Sequence, residues 1–293
     1  MCILDTIVLN IGIETGEIMT KVDLVATDLD GTFLSDTKRI NEDFFDQILK
    51  RLEATNGHFV IASGRDEEQI HKQFKPFVGR YDVVADNGAV VRTAKGELLN
   101  VSGLSVAEVE TMMQVVADLP FDPRQGALFT GHEAVYMLRD QGRLNLAHQS
   151  LVLMMFSNVK MIDSLDEIHE PILKVTITYA EHQMMDFIAA ARDALGNRAH
   201  VTTSGYGSVD IVAPDVNKAN GLAYVAKHYG LNLEQDLVAF GDGLNDAEML
   251  AKAKRPFAMP NGDKTLIATY PVADADNNHD GVLTTLENLL NKQ

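Results

Sequence analysis

The sequence predicts an α/β protein, a parallel β-sheet core interrupted by a separate α+β insertion. Three observations predict it. Short apolar runs bounded by polar turns alternate with amphipathic helical stretches along most of the chain. Successive strand–helix units lie roughly 30 residues apart, the length of a crossover unit. One gap, between the runs "NGAVV" (87–91) and "SVDIVAP" (208–214), exceeds 110 residues and is too long for a single crossover.

The elements follow in order. "VDLVAT" (22–27) is a strand, and a helix over about 41–54 places Phe44, Phe45, Ile48, Leu49 and Leu52 on one stripe. Asn41 caps that helix, and two acids occupy its first turn. "HFVIAS" (58–63) is a second strand ending in "GRD" before another helix, and "DVVAD" (82–86) is a third, ending in "NGAVV". Inside the long gap, "SVAEVETMMQVVADL" opens on Ser105 and Glu108 at capping-box spacing. Further on, "ILKVTITYA" alternates Leu173, Val175, Ile177 and Tyr179 with Lys174, Thr176 and Thr178, as a sheet with one wet face would. Residues 92–204 therefore read as the inserted α+β domain, with 19–91 and 205–293 forming the core. "SVDIVAP" then leads to the helix "KANGLAYVAKHYG", the strand "LVAFGDG", the helix "NDAEMLAKA" and short apolar runs near 255–259 and 271–273.

Composition narrows the function. The chain has 293 residues, 46% apolar and 23% charged, the balance of a globular protein with a sizeable core. Its formal charge of −17 argues against a partner recognised by its phosphate backbone, so no nucleic acid is expected. No apolar run approaches the roughly 18 residues that span a bilayer, so no membrane association is expected. Residues 1–18 contain Asp5, Glu14 and Glu17 and no Lys or Arg, unlike a secretory signal; they read as a disordered leader or an upstream extension. The single cysteine, Cys2, rules out an internal disulfide framework and fits the reducing cytoplasm. Nine histidines form no zinc-type spacing.

The chemistry sits where strands end. "VDLVAT" runs into Asp28, "HFVIA" into Ser63 and "LVAFG" into Asp242, and ligands of open parallel sheets gather at the carboxyl ends of strands. Lys218, opening a helix, can reach the same edge. Clustered carboxylates raise one another's pKa unless a cation joins them, and hard Mg²⁺ suits oxygen ligands. Gly31, Gly64, Gly241 and Gly243 permit tight turns whose N–H groups can cradle a phosphate. Arg65 reads equally as a substrate contact or as the partner of an acid.

"DLDGT", "ASGR", Lys218 and "GDGLND" stand in the order of the four motifs of the haloacid dehalogenase-like (HAD) phosphohydrolases, which this sequence resembles from Met19 onward. The long insertion is similar to the type IIB (C2B) cap of the Cof-type subfamily, as are "DNGA" after the third strand and the "MPNGD…NNHDGV" ending. The resemblance implies a HAD-like Rossmannoid core and a cytoplasmic, Mg²⁺-dependent phosphatase of a small phosphorylated metabolite. Sugar phosphates come first, with flavin mononucleotide and pyridoxal phosphate as further candidates. It implies that Asp28 attacks phosphorus, forming an aspartyl-phosphate, and that Asp30 is the general acid and then the base. That role requires Asp30 to carry a proton at the first step, hence a raised pKa. Mg²⁺ would be held by Asp28, the Asp30 carbonyl and Asp242. Ser63, Lys218, Asn245 and the N–H groups of Leu29 and Gly64 would hold the phosphoryl oxygens, with Asp246 as a supporting acid. Two departures from the family pattern are Ala219 after the lysine, where glycine is common, and Phe33 in place of a common leucine.

Two other functions use a similar acidic Mg²⁺ site: a phosphomutase and a phospho-accepting signalling switch. A switch needs neither a large insertion nor a second acid placed for proton transfer. "DNNHDGVLTTLE" (276–287) matches the calcium loop of an EF-hand at Asp276, Asn278, Asp280, Gly281 and Glu287. Pro271 interrupts the helix that such a loop needs before it, and no second loop is present, so calcium binding is disfavoured.

Overall fold

A computed structural model describes residues 21–124, 126–139, 152–154, 156, 158–205 and 207–292; the expected leader at 1–18 lies outside them. In chain order the strands are β1 (Leu24–Thr27), β2 (His58–Ala62), β3 (Asp82–Ala85), β4 (Val90–Arg92) and β5 (Leu98–Val101). Then come β6 (Leu128–Gly131), β7 (Val135–Leu138), β8 (Val159–Ile162), β9 (Ile172–Thr178), β10 (His200–Gly205) and β11 (Ser208–Val212). The series ends with β12 (Leu237–Gly241) and β13 (Arg255–Ala258).

The first sheet has the order β13-β12-β1-β2-β3-β4-β5. From β13 to β3 the neighbours are parallel, the core sheet expected; β4 and β5 add an antiparallel edge, so the sheet as a whole is mixed. Its strands are apolar on both faces because both faces are covered. Val25, Phe59, Ile61, Val83 and Phe240 pack with the helices Glu42–Ala54 and Gly281–Leu290. Leu24, Ala26, Val60 and Val84 point the other way, against Leu222, Val225, Met249 and Leu250. Period-two alternation thus feeds two cores, not a core and a solvent face. Phe33, the departure from leucine, joins an edge-on aromatic cluster with Phe45 and Phe59 at 5.0 and 5.8 Å.

The second sheet has the order β10-β11-β9-β6-β7-β8, antiparallel except for the β7–β8 pair. Val109, Met112, Phe129, Val175, Ile177, Phe187, Val209 and Ile211 form its own core under the helices Val106–Ala117 and Glu181–Leu195. Ser105 and Glu108 close the expected capping box. Strand β5 pairs with β4 in the first sheet and β11 pairs with β9 in the second, so each sheet extends past the expected junctions at 92 and 204.

The polar face of β9 is less wet than expected: Thr176 and Thr178 are half-buried and Lys174 is buried. Lys174 is 8% exposed because this face packs on the first unit. Its ammonium donates to the Gly64 carbonyl at 2.8 Å and lies 2.9 Å from Asp86 Oδ1, an ion pair without hydrogen-bond alignment. Residues 276–281 clamp the early turn: Asn277 Nδ2 donates to the Leu34 carbonyl and to Asp36, and Asn278 Nδ2 donates to Asp36. No helix of the described residues is long and apolar enough to cross a membrane.

Candidate active site

Strand β1 lies between β12 and β2, where the chain order reverses across the sheet. That reversal opens a crevice at the carboxyl ends of the strands. Asp28 follows β1, Ser63 follows β2 and Asp242 follows β12. Asp28 is locked into the sheet's end by its N–H, which donates to the Phe240 carbonyl at 3.1 Å.

Lys218 is the first residue of the helix Lys218–Tyr229, capped by Asn217, and its side chain is fully buried. Its ammonium donates to Asp28 Oδ1 and to Asp246 Oδ1, both at 2.6 Å. Asp246 spends its other oxygen on the N–H groups of Asp242 and Gly243, each at 3.0 Å. This side chain therefore ties down the Asp242 loop. Asp242 Oδ1 accepts from the Thr32 hydroxyl at 2.6 Å, a contact that sequence reasoning missed although Thr32 belongs to the "DLDGT" motif. Gly31 sits at φ +87°, and a Cβ there would come within 2.4 Å of Asp242 Oδ2. Only glycine lets the loops after β1 and β12 approach this closely.

One carboxylate oxygen from each of Asp28, Asp242 and Asp246 lies within 4.8 Å of the others. Burial, with the added charge of Asp246 and Asp242, raises the Asp28 carboxyl to about 8 against the opposing Lys218 ammonium. Burial and Asp246 raise Asp242 to about 6 although Thr32 opposes them. Burial alone would lower Lys218, but Asp246 and Asp28 outweigh it and keep the ammonium protonated. An all-oxygen donor set whose charges repel in the absence of a cation fits a hard divalent ion. Asp246 has both oxygens occupied, whereas Asp28 Oδ2 and Asp242 Oδ2 have no hydrogen-bond partner among the described residues. Asp28 and Asp242 are therefore the better ligands.

Asp30 differs from expectation. Its carboxylate is held by Arg65, with Nε to Oδ2 and Nη2 to Oδ1 both at 2.6 Å, and by Lys38 Nζ at 2.6 Å. Burial would raise its pKa, but these two cations outweigh burial and hold it below the ordinary carboxyl range. The raised pKa expected for a proton donor is absent in this arrangement. The same contact makes Arg65 the partner of an acid in this arrangement.

Ser63 Oγ accepts from the Arg65 N–H at 3.2 Å, so the hydroxyl stays at the mouth of the loop. Leu29 and Gly64 donate their N–H groups to no acceptor among the described residues. Asn245 donates to Asn87 Oδ1 at 3.3 Å. Asn87, the middle of "DNGA", was visible in the sequence only as a family likeness.

Residues 25–286 match the family described as haloacid dehalogenase-like hydrolase. The chain is 29% identical over 269 residues to the 5-amino-6-(5-phospho-D-ribitylamino)uracil phosphatase YbjI of Escherichia coli K12, covering 92% of this chain and 96% of that protein. Among solved structures, SMU.1108c of Streptococcus mutans UA159 superposes with a TM-score of 0.82 at 26% identity, covering 92% of this chain and 100% of the other. The HAD subclass IIB sugar phosphatase BT4131 shares the fold with a TM-score of 0.70 at 19% identity, over 91% of this chain and 98% of its own.

Proposed function

We propose that this chain, which belongs to the family of haloacid dehalogenase-like hydrolases, is a Mg²⁺-dependent phosphomonoesterase acting on a small phosphorylated polyol or sugar through an aspartyl-phosphate. The observation that carries the proposal is the meeting of Asp28, Asp242 and Asp246 with one buried lysine at the switch point of the sheet. The substrate class follows from the ribityl phosphate named for the Escherichia coli relative.

In this mechanism an Asp28 oxygen attacks phosphorus in line, the ester P–O bond breaks, and the leaving oxygen takes a proton from Asp30. Water then attacks the aspartyl-phosphate, gives its proton to Asp30, and inorganic phosphate leaves. Mg²⁺, held by Asp28, the Asp30 carbonyl and Asp242, would neutralise the crowded negative charge. Ser63, Lys218, Asn245 and the N–H groups of Leu29 and Gly64 hold the phosphoryl oxygens, so positioning and charge supply most of the rate. The carboxylate form of Asp30 that Arg65 and Lys38 stabilise is the form that accepts the water's proton. The first step needs those two cations turned away by the bound substrate. The inserted sheet acts as the cap, excluding water and setting specificity.

The test is turnover of p-nitrophenyl phosphate with and without Mg²⁺. Steady release of phosphate that EDTA abolishes is expected. Single-turnover labelling by acetyl phosphate without steady release would instead mark a switch, and transfer to a second hydroxyl of the substrate would mark a mutase. Asp242→Asn is expected to raise the Mg²⁺ concentration for half-maximal activity by roughly 10–100-fold, with the Thr32 contact still available to the amide oxygen. An unchanged Mg²⁺ titration would remove Asp242 from the metal site. Asp30→Asn is expected to lower kcat by about 10²–10⁴-fold and to let phospho-enzyme accumulate in quenched samples. Normal turnover by this variant would refute the proton-transfer role.

A further inference from the structure

The buried turn Asp86–Gly88 has no part in the mechanism above, yet it joins the second sheet to the site. Asp86 and Asn87 have φ of 48° and 57°, two successive left-handed residues that are not glycine, at 2% and 1% exposure. Such backbone persists only where its surroundings over-determine it. Here the Asp86 N–H donates to the Arg65 carbonyl at 3.0 Å and the Asn87 N–H to the Ser63 carbonyl at 2.9 Å. At Gly88 (φ +109°) a Cβ would come within 2.3 Å of the Asn217 carbonyl, the cap of the Lys218 helix. The turn is pinned from two sides to the loop carrying Ser63 and the helix carrying Lys218.

Its side chain is pinned from a third side. Asp210, fully buried on β11, accepts from the Thr176 hydroxyl at 2.7 Å and from Asn87 Nδ2 at 3.2 Å. A carboxylate oxygen accepting there obliges Asn87 to turn its NH₂ toward Asp210 and its carbonyl the other way. That carbonyl accepts from Asn245 Nδ2 at 3.3 Å. An isolated asparagine amide can flip by a half-turn and exchange donor for acceptor. This chain removes the choice for Asn245 and leaves its second N–H to donate elsewhere.

We propose that Asp210 and Asn87 are positioning residues that fix the Asn245 amide with its NH₂ toward the phosphoryl group, which makes the inserted sheet part of the phosphate-holding device. The inference rests on the reading of Asn245 as a phosphoryl contact. Lys174, from the neighbouring strand, ties the same sheet face to the Gly64 carbonyl, so two phosphate-side loops take their placement from the insertion. Hydrogen bonds linked in this way polarise one another and act as a unit.

The test uses inorganic phosphate as a competitive inhibitor of p-nitrophenyl phosphate turnover by the full chain with saturating Mg²⁺. Asn87→Gly keeps the left-handed backbone and deletes the relay; it is expected to raise the phosphate inhibition constant about tenfold. Asn245→Ala is expected to do the same, and the double variant is expected to be no worse than Asn245→Ala alone. Asp210→Ala, made from the side of the insertion, reads the same relay if the Asn87 variant folds poorly. The same fold-loss in the wild-type and Asn245→Ala backgrounds would overturn the proposal, because a residue that only supports the fold weakens both equally. An unchanged inhibition constant in a folded variant would overturn it too. A wild-type chain with no turnover would be a different failure, that of the phosphatase reading, and would take this inference with it.

Discussion

Asp28→Asn is expected to lower kcat for p-nitrophenyl phosphate by roughly 10⁴-fold or more while leaving the fold intact. The amide that replaces the carboxylate has the same shape, and its oxygen still accepts from Lys218 at the position of Oδ1. Lys218 also keeps Asp246 at 2.6 Å, so no buried ammonium is left unpaired. The anionic oxygen that attacks phosphorus is lost. Removing one of three carboxylates that repel one another also relieves the cluster, so the melting temperature should not fall. Steady-state rates, acid-quench detection of phospho-enzyme and a thermal melt check the three statements. Retention of a tenth of the wild-type rate would show that the phosphoryl group never passes through Asp28.

The contrast between that residue and Asp30 shows what a sequence can carry. Apolar runs that stop at Asp28, Ser63 and Asp242 are a direct consequence of a sheet buried on both faces, so the sheet edge where these residues meet was legible from hydropathy alone. The protonation of Asp30 was not, because it depends on where Arg65 and Lys38 come to rest in space; Arg65 belongs to "ASGR", but neither that motif nor the surroundings of Lys38 in the sequence say which acid the two cations meet. The junctions of the two units failed for a related reason. Strand β5 has the weak pattern of an exposed edge, with Leu98 and Val101 at 46% and 37% exposure, so it gave no signal beyond 92. Strand β11 reads as a core strand because Asp210 on its polar face is buried against Asn87 instead of facing water. Lys174 misled in the same way. A polar face that packs on a second unit is indistinguishable, in one sequence, from a polar face in solvent.

Lys218→Met is expected to remove activity and also to destabilise the fold by about 3–5 kcal/mol, a combination that Asp28→Asn should not show. Methionine fills a similar volume, so the loss is one of charge and not of packing. The ammonium it replaces is buried with both partners at 2.6 Å, and Asp246 is itself fully buried. Asp246 has no retreat: its second oxygen holds two N–H groups, and a Cβ at Gly241 would come within 2.4 Å of its own Cβ. Two carboxylates would face each other without a counter-ion, and a melting temperature lower by roughly 10 °C should follow for a chain of this size. Adding Asp28→Asn to Lys218→Met should recover part of that loss, because it removes one of the stranded charges; two independent sites would give additive losses instead. A Lys218→Met protein as stable as the wild type would mean that this lysine is only a helix-start residue, and the buried triad would then lose its claim to organise the site.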